Sequence, residues 1–222
     1  MKAAHLKFDN QEQYHIFNNI YSYAESVNYA DSAHGFDHVL RVLKNALDIQ
    51  RQEGGNLFTV IIAVLLHDCV SIPKNHPDSN ISSTLSANKA VELLRKYYIN
   101  GTDLEAIHHA IEAHSYSRGI TPNTIEAAIV QDADRLDALG AIGIARMFSV
   151  SGSLKRSLYD YPDPLAKHRK LDDKTYTLDH IETKLLQLPE LMQTSAGKHM
   201  AFERANFINS FKEQLISEIR TS

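Results

Sequence analysis

The chain has 222 residues, a length that fits one domain of ordinary to large size with a substantial core. Hydrophobic residues make up 43% of it, which is close to the globular average and argues against long disorder. The net charge is −4 and no basic stripe is present, so we expect no nucleic-acid partner.

Cys69 is the single cysteine, so no intramolecular disulfide can form and a reducing compartment is indicated. The first residues lack the apolar core of a signal peptide, and no apolar run is long enough to span a bilayer. We expect a soluble cytoplasmic protein with no membrane partner, and homo-oligomerisation stays open. Cys69 follows His67-Asp68, which permits a catalytic thiol, but a small buried apolar side chain is the favoured interpretation.

Apolar residues recur at helical spacing along nearly the whole chain, and no segment alternates like a β-strand, so the predicted fold is all-α. Helices are predicted at about 10–27, from 36 to the Gly54-Gly55 pair, after Asn56, at 82–98, 103–114, 124–132 and 137–150, and as two amphipathic helices within 178–219 split near Pro189. Asn56, Asn100 and Asp137 are predicted N-caps.

Two polar stretches separate these helices, at 71–80 and at 151–177. Proline and glycine in both favour loops, and the second is long enough to predict a surface loop or a lid. We expect one domain over residues 1–222. The core of the candidate site lies at about 30–150, and a C-terminal helical extension occupies about 178–219.

The dipeptide His67-Asp68 ends the most apolar run of the chain, residues 58–66. An imidazole and a carboxylate are costly to bury without partners, and one bound cation would satisfy both. The other predicted ligands are His38, on an amphipathic helix upstream, and Asp132, at the end of a helix downstream. The whole set is stronger evidence than the dipeptide, because single suggestive placements arise by chance among 12 histidines.

Two imidazoles and two carboxylates suit a first-row divalent cation such as Mn²⁺, Co²⁺, Ni²⁺, Fe²⁺ or Zn²⁺. Such an ion would leave open positions for a water and a phosphate oxygen, lower the pKa of the water and polarise phosphorus. Asp68 could also orient that water. We expect one divalent ion, with Mn²⁺ favoured and Mg²⁺ also considered.

The order His38, His67-Asp68, Asp132 resembles the HD-domain superfamily of metal-dependent phosphohydrolases. The stretches around these residues, together with residues 184–192, resemble the small bacterial hydrolases of the YpgQ and YedJ type. The resemblance implies a helical HD-domain bundle with one metal site and hydrolysis of phosphoesters or phosphoanhydrides. It further implies that the substrate is a nucleoside triphosphate, cleaved to a monophosphate and pyrophosphate.

Several side chains are candidates for contacting substrate or for acid–base chemistry. Arg41 lies one turn after His38 and could bind a phosphate bidentately, with a surface ion pair as the equal alternative. Lys74 follows His67-Asp68 and is a candidate phosphate ligand with a catalytic role, and Asn75 lies beside it. His34 could act as a general acid or as a hydrogen-bond donor to a phosphate. Alternatively, it could make a hydrogen bond where the helix begins.

His114 ends a predicted helix and could donate a hydrogen bond to substrate. With His109, it could instead bind a second metal, but a spacing of five does not place both on one helix face. Alternatives to the triphosphate hydrolase are a 5′-nucleotidase or another phosphomonoesterase or phosphodiesterase of the HD class, a nucleotide sensor with little turnover, and a di-iron oxygenase. The intact ligand set argues against the sensor, and the di-iron enzyme would need both additional histidines.

Overall fold

The fold is all-α. A computed structural model describes residues 8, 10–27, 35–70, 72, 80–97 and 99–219. The helices are α1 (Gln11–Ser26), α2 (Phe36–Glu53), α3 (Leu57–Leu66), α4 (Ser82–Leu94), α5 (Gly101–Ala113), α6 (Ile125–Leu136), α7 (Gly140–Ser153), α8 (Asp179–Thr183) and α9 (Ser195–Ile219), with 3₁₀ turns at Arg95–Tyr97, Tyr116–Arg118 and Leu185–Leu191. Within this described part there is no β-strand, only an isolated bridge between Ser157 and Tyr176.

Helix α3 forms the centre of the first structural unit, which extends to Asp134. Residues 58–66 of this helix are all buried, and α1, α2, α4 and α5 pack against it. Burial of each large side chain contributes about 1.5–3 kcal/mol, so α3 anchors whatever follows it in the chain. Asn56 caps the helix as expected, because its side chain accepts a hydrogen bond from the Thr59 N–H at 3.0 Å.

The second unit begins at Arg135. In it, α7 packs against α9, and the Leu185–Leu191 turn packs against α8 and α9. The prediction of two amphipathic helices over 178–219 is wrong in its first half, where α8 has five residues and a 3₁₀ turn follows it. Pro189 lies inside that turn, and proline has no N–H for an α-helical hydrogen bond.

The predicted N-cap at Asp137 is also wrong. Helix α6 continues to Leu136, α7 starts at Gly140, and Leu139 occupies the cap position without a side-chain hydrogen bond. The buried Asp137 carboxylate instead accepts a hydrogen bond from Arg146 Nη1 at 2.5 Å. A buried aspartate therefore forms an ion pair, which satisfies its charge better than a capping role would.

The polar stretch predicted at 151–177 is non-helical after Ser153. Its anchor is Arg169, which donates hydrogen bonds to the buried Asp179 at 2.5 and 2.9 Å and to Asp160 at 3.0 Å. A bidentate guanidinium–carboxylate pair fixes geometry as well as charge, so this connection is ordered at its base. No helix within the described ranges combines the length and apolarity needed to cross a membrane.

Candidate active site

Four helices of the first unit bring imidazoles and carboxylates together. His38 lies in the first turn of α2, and His67 and Asp68 lie in the turn that ends α3, which the Cys69 N–H closes by donating to Leu66 O at 3.1 Å. Two further side chains complete the cluster. His114 follows the last residue of α5, and Asp134 lies in α6.

The first group of donors consists of His38, His67 and Asp134. The two Nε2 atoms of His38 and His67 are 3.3 Å apart, and Asp134 Oδ1 lies 3.4 Å from His38 Nε2 and 3.9 Å from His67 Nε2. Both histidines are buried, and the Asp134 side chain is 26% exposed. Three donors thus converge on one small space that solvent can reach on the carboxylate side.

The second group shares His67 and adds Asp68 and His114. Asp68 Oδ2 lies 3.5 Å from His67 Nε2, and Asp68 Oδ1 lies 3.6 Å from His114 Nε2. Asp68 Oδ2 is also 3.9 Å from His38 Nε2. Asp68 can therefore act together with the first group through one oxygen while its other oxygen faces His114.

Backbone contacts define which nitrogen of two of these histidines faces the site. His67 Nδ1 lies 2.7 Å from Val64 O, and His114 Nδ1 lies 2.6 Å from Ile111 O. A carbonyl oxygen only accepts, so each Nδ1 carries the hydrogen and donates it. This leaves His67 Nε2 with a lone pair directed into the site, the tautomer that a histidine ligand of a metal requires.

The donor set fits a divalent metal ion. Metal–nitrogen and metal–oxygen bonds are about 2.0–2.2 Å, so donors around one ion lie about 3 to 4 Å apart. The contacts among His38, His67, Asp68 and Asp134 run from 3.3 to 3.9 Å. Mixed imidazole and carboxylate ligands favour a first-row divalent ion.

Burial and the neighbouring side chains shift the pKa values of three residues of this cluster. Burial lowers the pKa of His67, which keeps its imidazole neutral. Burial alone would raise the pKa of Asp68, but the three neighbouring histidines together hold it below its ordinary value. The pKa of Asp134 is held well below its usual range, since a hydrogen bond from His38 and the nearby imidazoles outweigh the effect of burial.

Asp134 is the carboxylate that lies near His38 and His67, and the predicted ligand Asp132 comes two residues before it on the same helix. Asp132 is fully buried on the same helix and belongs to neither group of donors. Successive helical residues are rotated by about 100°, so Asp132 and Asp134 point in different directions, and Asp132 stays a predicted ligand. The sequence motif contains both residues, and the helical phase that separates them depends on α6 continuing to Leu136.

The other predicted contacts fall into two classes. His34, Lys74 and Asn75 lie outside the described residues. Arg41 donates a hydrogen bond to Asp37 at 2.9 Å, which is the surface ion pair considered as its alternative.

The two histidines considered as ligands of a second metal, His109 and His114, have different surroundings. His109 Nε2 accepts a hydrogen bond from the Asn123 N–H at 3.0 Å, so its lone pair is already engaged. His114 alone reaches the site. Cys69 is buried, and burial raises its pKa to about 12, so it stays a neutral thiol beside the site.

Sequence reasoning missed Asp134, the side chain that faces His38, and gave no role to two buried amides, Asn45 and Gln131. Asn45 donates to Ala133 O at 3.1 Å, and Gln131 donates to Ala113 O at 2.6 Å. The stripe of α2 that carries His38 also carries Asn45, which was the available signal. For Gln131 the signal was its place one turn before Asp134.

The fold is all-helical, and its convergent His–Asp cluster suits a divalent cation, so the chain is a metal-binding helical protein. Comparisons with known proteins identify its family. The family model of the HD domain matches residues 35–139. The YpgQ protein of Bacillus subtilis is 34% identical over 192 residues, which covers 85% of each chain.

Solved structures agree with that match. The crystal structure of Bacillus subtilis YpgQ in complex with ADP has a TM-score of 0.72 at 30% identity, covering 94% of this chain and 97% of that chain. The structure of the Lin1889 protein of Listeria innocua has a TM-score of 0.73 at 28% identity, covering 95% of this chain and 98% of that chain. The structure of an HD-superfamily hydrolase of Bacillus thuringiensis has a TM-score of 0.72 at 31% identity, covering 93% of this chain and 97% of that chain.

The chain belongs to the HD-domain superfamily. It is a metal-dependent phosphohydrolase of that superfamily.

Proposed function

We propose that this chain hydrolyses nucleoside triphosphates, releasing a nucleoside monophosphate and pyrophosphate. The observation that supports it most is the likeness to YpgQ, a protein whose structure was determined in complex with ADP, over 94% of this chain. The convergent His–Asp cluster supports the hydrolytic part of the proposal, because a polyphosphate substrate needs a cation to neutralise its charge.

Four side chains would hold one divalent cation: His38, His67, Asp68 and Asp134. Bound there, the cation would polarise a phosphoryl oxygen and make a water more acidic at neutral pH. We favour one cation, with Mn²⁺ as the first candidate, because the two groups of donors share His67 and because His109 is engaged elsewhere. That engagement also weighs against di-iron chemistry.

The remaining steps depend on two side chains. Asp68 Oδ2 lies near His67 and Oδ1 lies near His114, and Oδ1 can accept a proton from the attacking water. His114 presents Nε2 to the same region, so its side chain is placed to contact the substrate. Lys74 and Asn75, and with them His34, stay predicted substrate or acid–base residues.

Arg41 stays a candidate phosphate ligand, and a phosphate would compete with Asp37 for its guanidinium. Its guanidinium pairs with Asp37, whose carboxylate is 72% exposed, and an ion pair between exposed groups is worth about 0–1 kcal/mol. A phosphate can therefore compete with Asp37 at little cost.

The test is a turnover assay on metal-free protein reloaded with Mn²⁺, Co²⁺ or Mg²⁺. A panel of nucleoside mono- and triphosphates, including ATP and dGTP, is offered and the products are separated. The variants are Asp68→Ala and, as a matched control, Asp48→Ala, since Asp48 is a carboxylate of α2 paired with Lys44 and Arg51 on the surface.

Metal-dependent release of pyrophosphate, abolished by Asp68→Ala and kept by Asp48→Ala, would support the proposal and locate the cleaved bond. Orthophosphate released from monophosphates would replace it with a nucleotidase. Tight nucleotide binding without turnover in any metal would overturn the enzyme assignment for nucleotides and favour the sensor.

A further inference from the structure

Two backbone carbonyls occupy matching positions beside the candidate site. Ala113 is the last residue of α5 and precedes His114, and Ala133 lies in the last turn of α6 and precedes Asp134. The last four carbonyls of an α-helix have no partner within the helix. Each carbonyl belongs to the peptide group that carries a site residue, so whatever binds the carbonyl also fixes that residue.

Asn45 binds the first of these carbonyls, that of Ala133. Its Nδ2 donates to Ala133 O at 3.1 Å, and the side chain is buried. Asn45 lies on α2 seven residues after His38, two turns along the same face. The contact therefore ties the helix that carries His38 to the peptide group that carries Asp134, the two residues whose donor atoms lie 3.4 Å apart.

Gln131 binds the second carbonyl and one more. Its Nε2 donates to Ala113 O at 2.6 Å and to Ile120 O at 3.1 Å, and the residue is 1% exposed. These carbonyls flank the turn that begins with His114. Because Gln131 lies one helical turn before Asp134, it fastens the segment of His114 to the helix of Asp134.

The Gln131 amide binds two carbonyls through its nitrogen, while its own oxygen has no partner among the described residues. A buried acceptor without a partner is unfavourable. An apolar side chain of similar shape would avoid that penalty but would leave both carbonyls without a donor. Holding the two carbonyls is therefore the function that accounts for an amide at this position.

We propose that Asn45 and Gln131 are positioning residues of the active site, Asn45 acting through Asp134 on metal affinity and Gln131 acting through His114 on turnover. This assignment rests on the proposed function, because it takes Asp134 as a metal ligand and His114 as a substrate contact. Partners that orient a ligand residue typically change metal affinity 10- to 100-fold.

The first experiment measures Mn²⁺ binding to metal-free protein by titration calorimetry. Asn45→Leu is expected to raise the dissociation constant about tenfold. The matched control is Gln50→Met, which removes an amide that donates to a carbonyl of the loop between α2 and α3, Gly55 O, at 3.1 Å. Gln50 lies twelve residues after His38, about 18 Å along α2, so its loss should leave Mn²⁺ affinity unchanged.

The second experiment follows pyrophosphate release from the triphosphate of the panel that the wild type hydrolyses fastest. Gln131→Met is expected to lower kcat about tenfold at saturating Mn²⁺ while the Mn²⁺ dissociation constant stays near that of the wild type. In the background of His114→Gln the same change should have almost no further effect, because its action passes through His114.

Equal losses of Mn²⁺ affinity and turnover in both variants, tracking their melting temperatures, would reduce the two amides to structural roles and overturn the inference. A full additional loss from Gln131→Met in the His114→Gln background would do the same. Asn45→Ser and Gln131→Leu replace any variant that fails to fold. Failure of the proposed function looks different, since the wild type itself would then bind no Mn²⁺ or release no pyrophosphate.

Discussion

Asp68 directs its two carboxylate oxygens at two different histidines. Oδ2 lies 3.5 Å from His67 Nε2, and Oδ1 lies 3.6 Å from His114 Nε2. Its position in the turn after a fully buried helix limits how far it can move. One side chain can thereby help to hold a cation and meet a second reacting group, which explains why an aspartate directly follows the histidine.

At the scale of single residues, the choice between Asp134 and Asp132 can be tested. Asp134→Asn is expected to raise the Mn²⁺ dissociation constant about a hundredfold, since it removes a charged donor 3.4 Å from His38 Nε2. Asp132→Asn should leave that constant nearly unchanged, because the Asp132 side chain belongs to neither group of donors. Calorimetric titration of both metal-free proteins measures the difference.

The opposite order of effects would make Asp132 the ligand, as the sequence predicts. A circular dichroism spectrum of each variant provides the control, because Asp132 is fully buried and its substitution also alters packing. Only a variant with the helical content of the wild type is compared.

At the scale of elements, α7 depends on a glycine that its sequence does not single out. A Cβ added at Gly143 would meet the carbonyl carbon and oxygen of Ala138 far inside contact distance, and backbone atoms cannot move aside as a flexible side chain can. Gly143→Ala should therefore destabilise the protein by about 1–3 kcal/mol, as overpacking does. Urea unfolding followed by circular dichroism measures the change.

Gly152, near the other end of α7, is the matched control. A Cβ at this position meets nothing within 4 Å, and alanine favours a helix over glycine by up to about 1 kcal/mol. Gly152→Ala should leave stability equal or slightly increased. Equal destabilisation by the two substitutions would contradict the packing argument.

The ordered connection after α7 contains a turn that should weaken in acid. The Asp163 carboxylate accepts hydrogen bonds from the N–H groups of His168 at 2.7 Å and Lys167 at 2.9 Å, and it closes over Ala166, whose φ of +49° is unfavourable for a residue with a Cβ. The hydrogen bond from His168, followed by that from Lys167, lowers the pKa of Asp163.

A lowered pKa in the folded state means that the ionised carboxylate stabilises the fold above its unfolded value of 3.8 and that this contribution is lost as the pH falls through the lower folded value. We expect the wild type to melt slightly above Asp163→Asn at pH 5 and the difference to vanish as the pH approaches 2. Thermal unfolding across that range measures it. A difference that stays constant with pH would contradict this account.

At the scale of the whole molecule, metal binding should couple to stability. A cation that binds only the folded site stabilises it by about 2.7 kcal/mol when present at 100 times its dissociation constant. For a protein of this size that corresponds to a rise in melting temperature of roughly 5–10 °C. Removal of Mn²⁺ with a chelator should reverse the rise, and Asp68→Ala should show none.

Scanning fluorimetry with and without Mn²⁺ measures this coupling, and Asp48→Ala serves as the control that keeps the site intact. A rise of equal size in Asp68→Ala would mean that the ion binds elsewhere.

Much of the helical architecture could be predicted because its signals are local. Asn56 and Asn100 cap the helices that follow them, and the apolar run at 58–66 is the buried helix. Pro189 marked the break in the C-terminal region, but its effect was underestimated, because a proline inside a short segment replaces α-helical turns with 3₁₀ turns. The cap predicted at Asp137 failed because a distant arginine competes for the same carboxylate.

The site could be predicted only in part. His38, His67 and Asp68 stand out because a histidine or an aspartate is unusual where apolar residues surround it. His114 was identified as a helix-ending histidine, and the structure brings it to within 3.6 Å of Asp68. Asp134, whose carboxylate lies 3.4 Å from His38 Nε2, was given no role, because the sequence does not show that the phase of α6 turns this residue toward His38.

Composition, periodicity and residue type were enough to predict the fold class, the buried helix that ends at His67-Asp68, and the chemistry of a divalent cation. The tertiary structure decided which carboxylate meets His38, which of two histidines reaches the site, and which amides hold the peptide groups of His114 and Asp134. Those choices depend on distances of a few ångströms between residues up to about 100 positions apart, and periodicity carries no information about such distances.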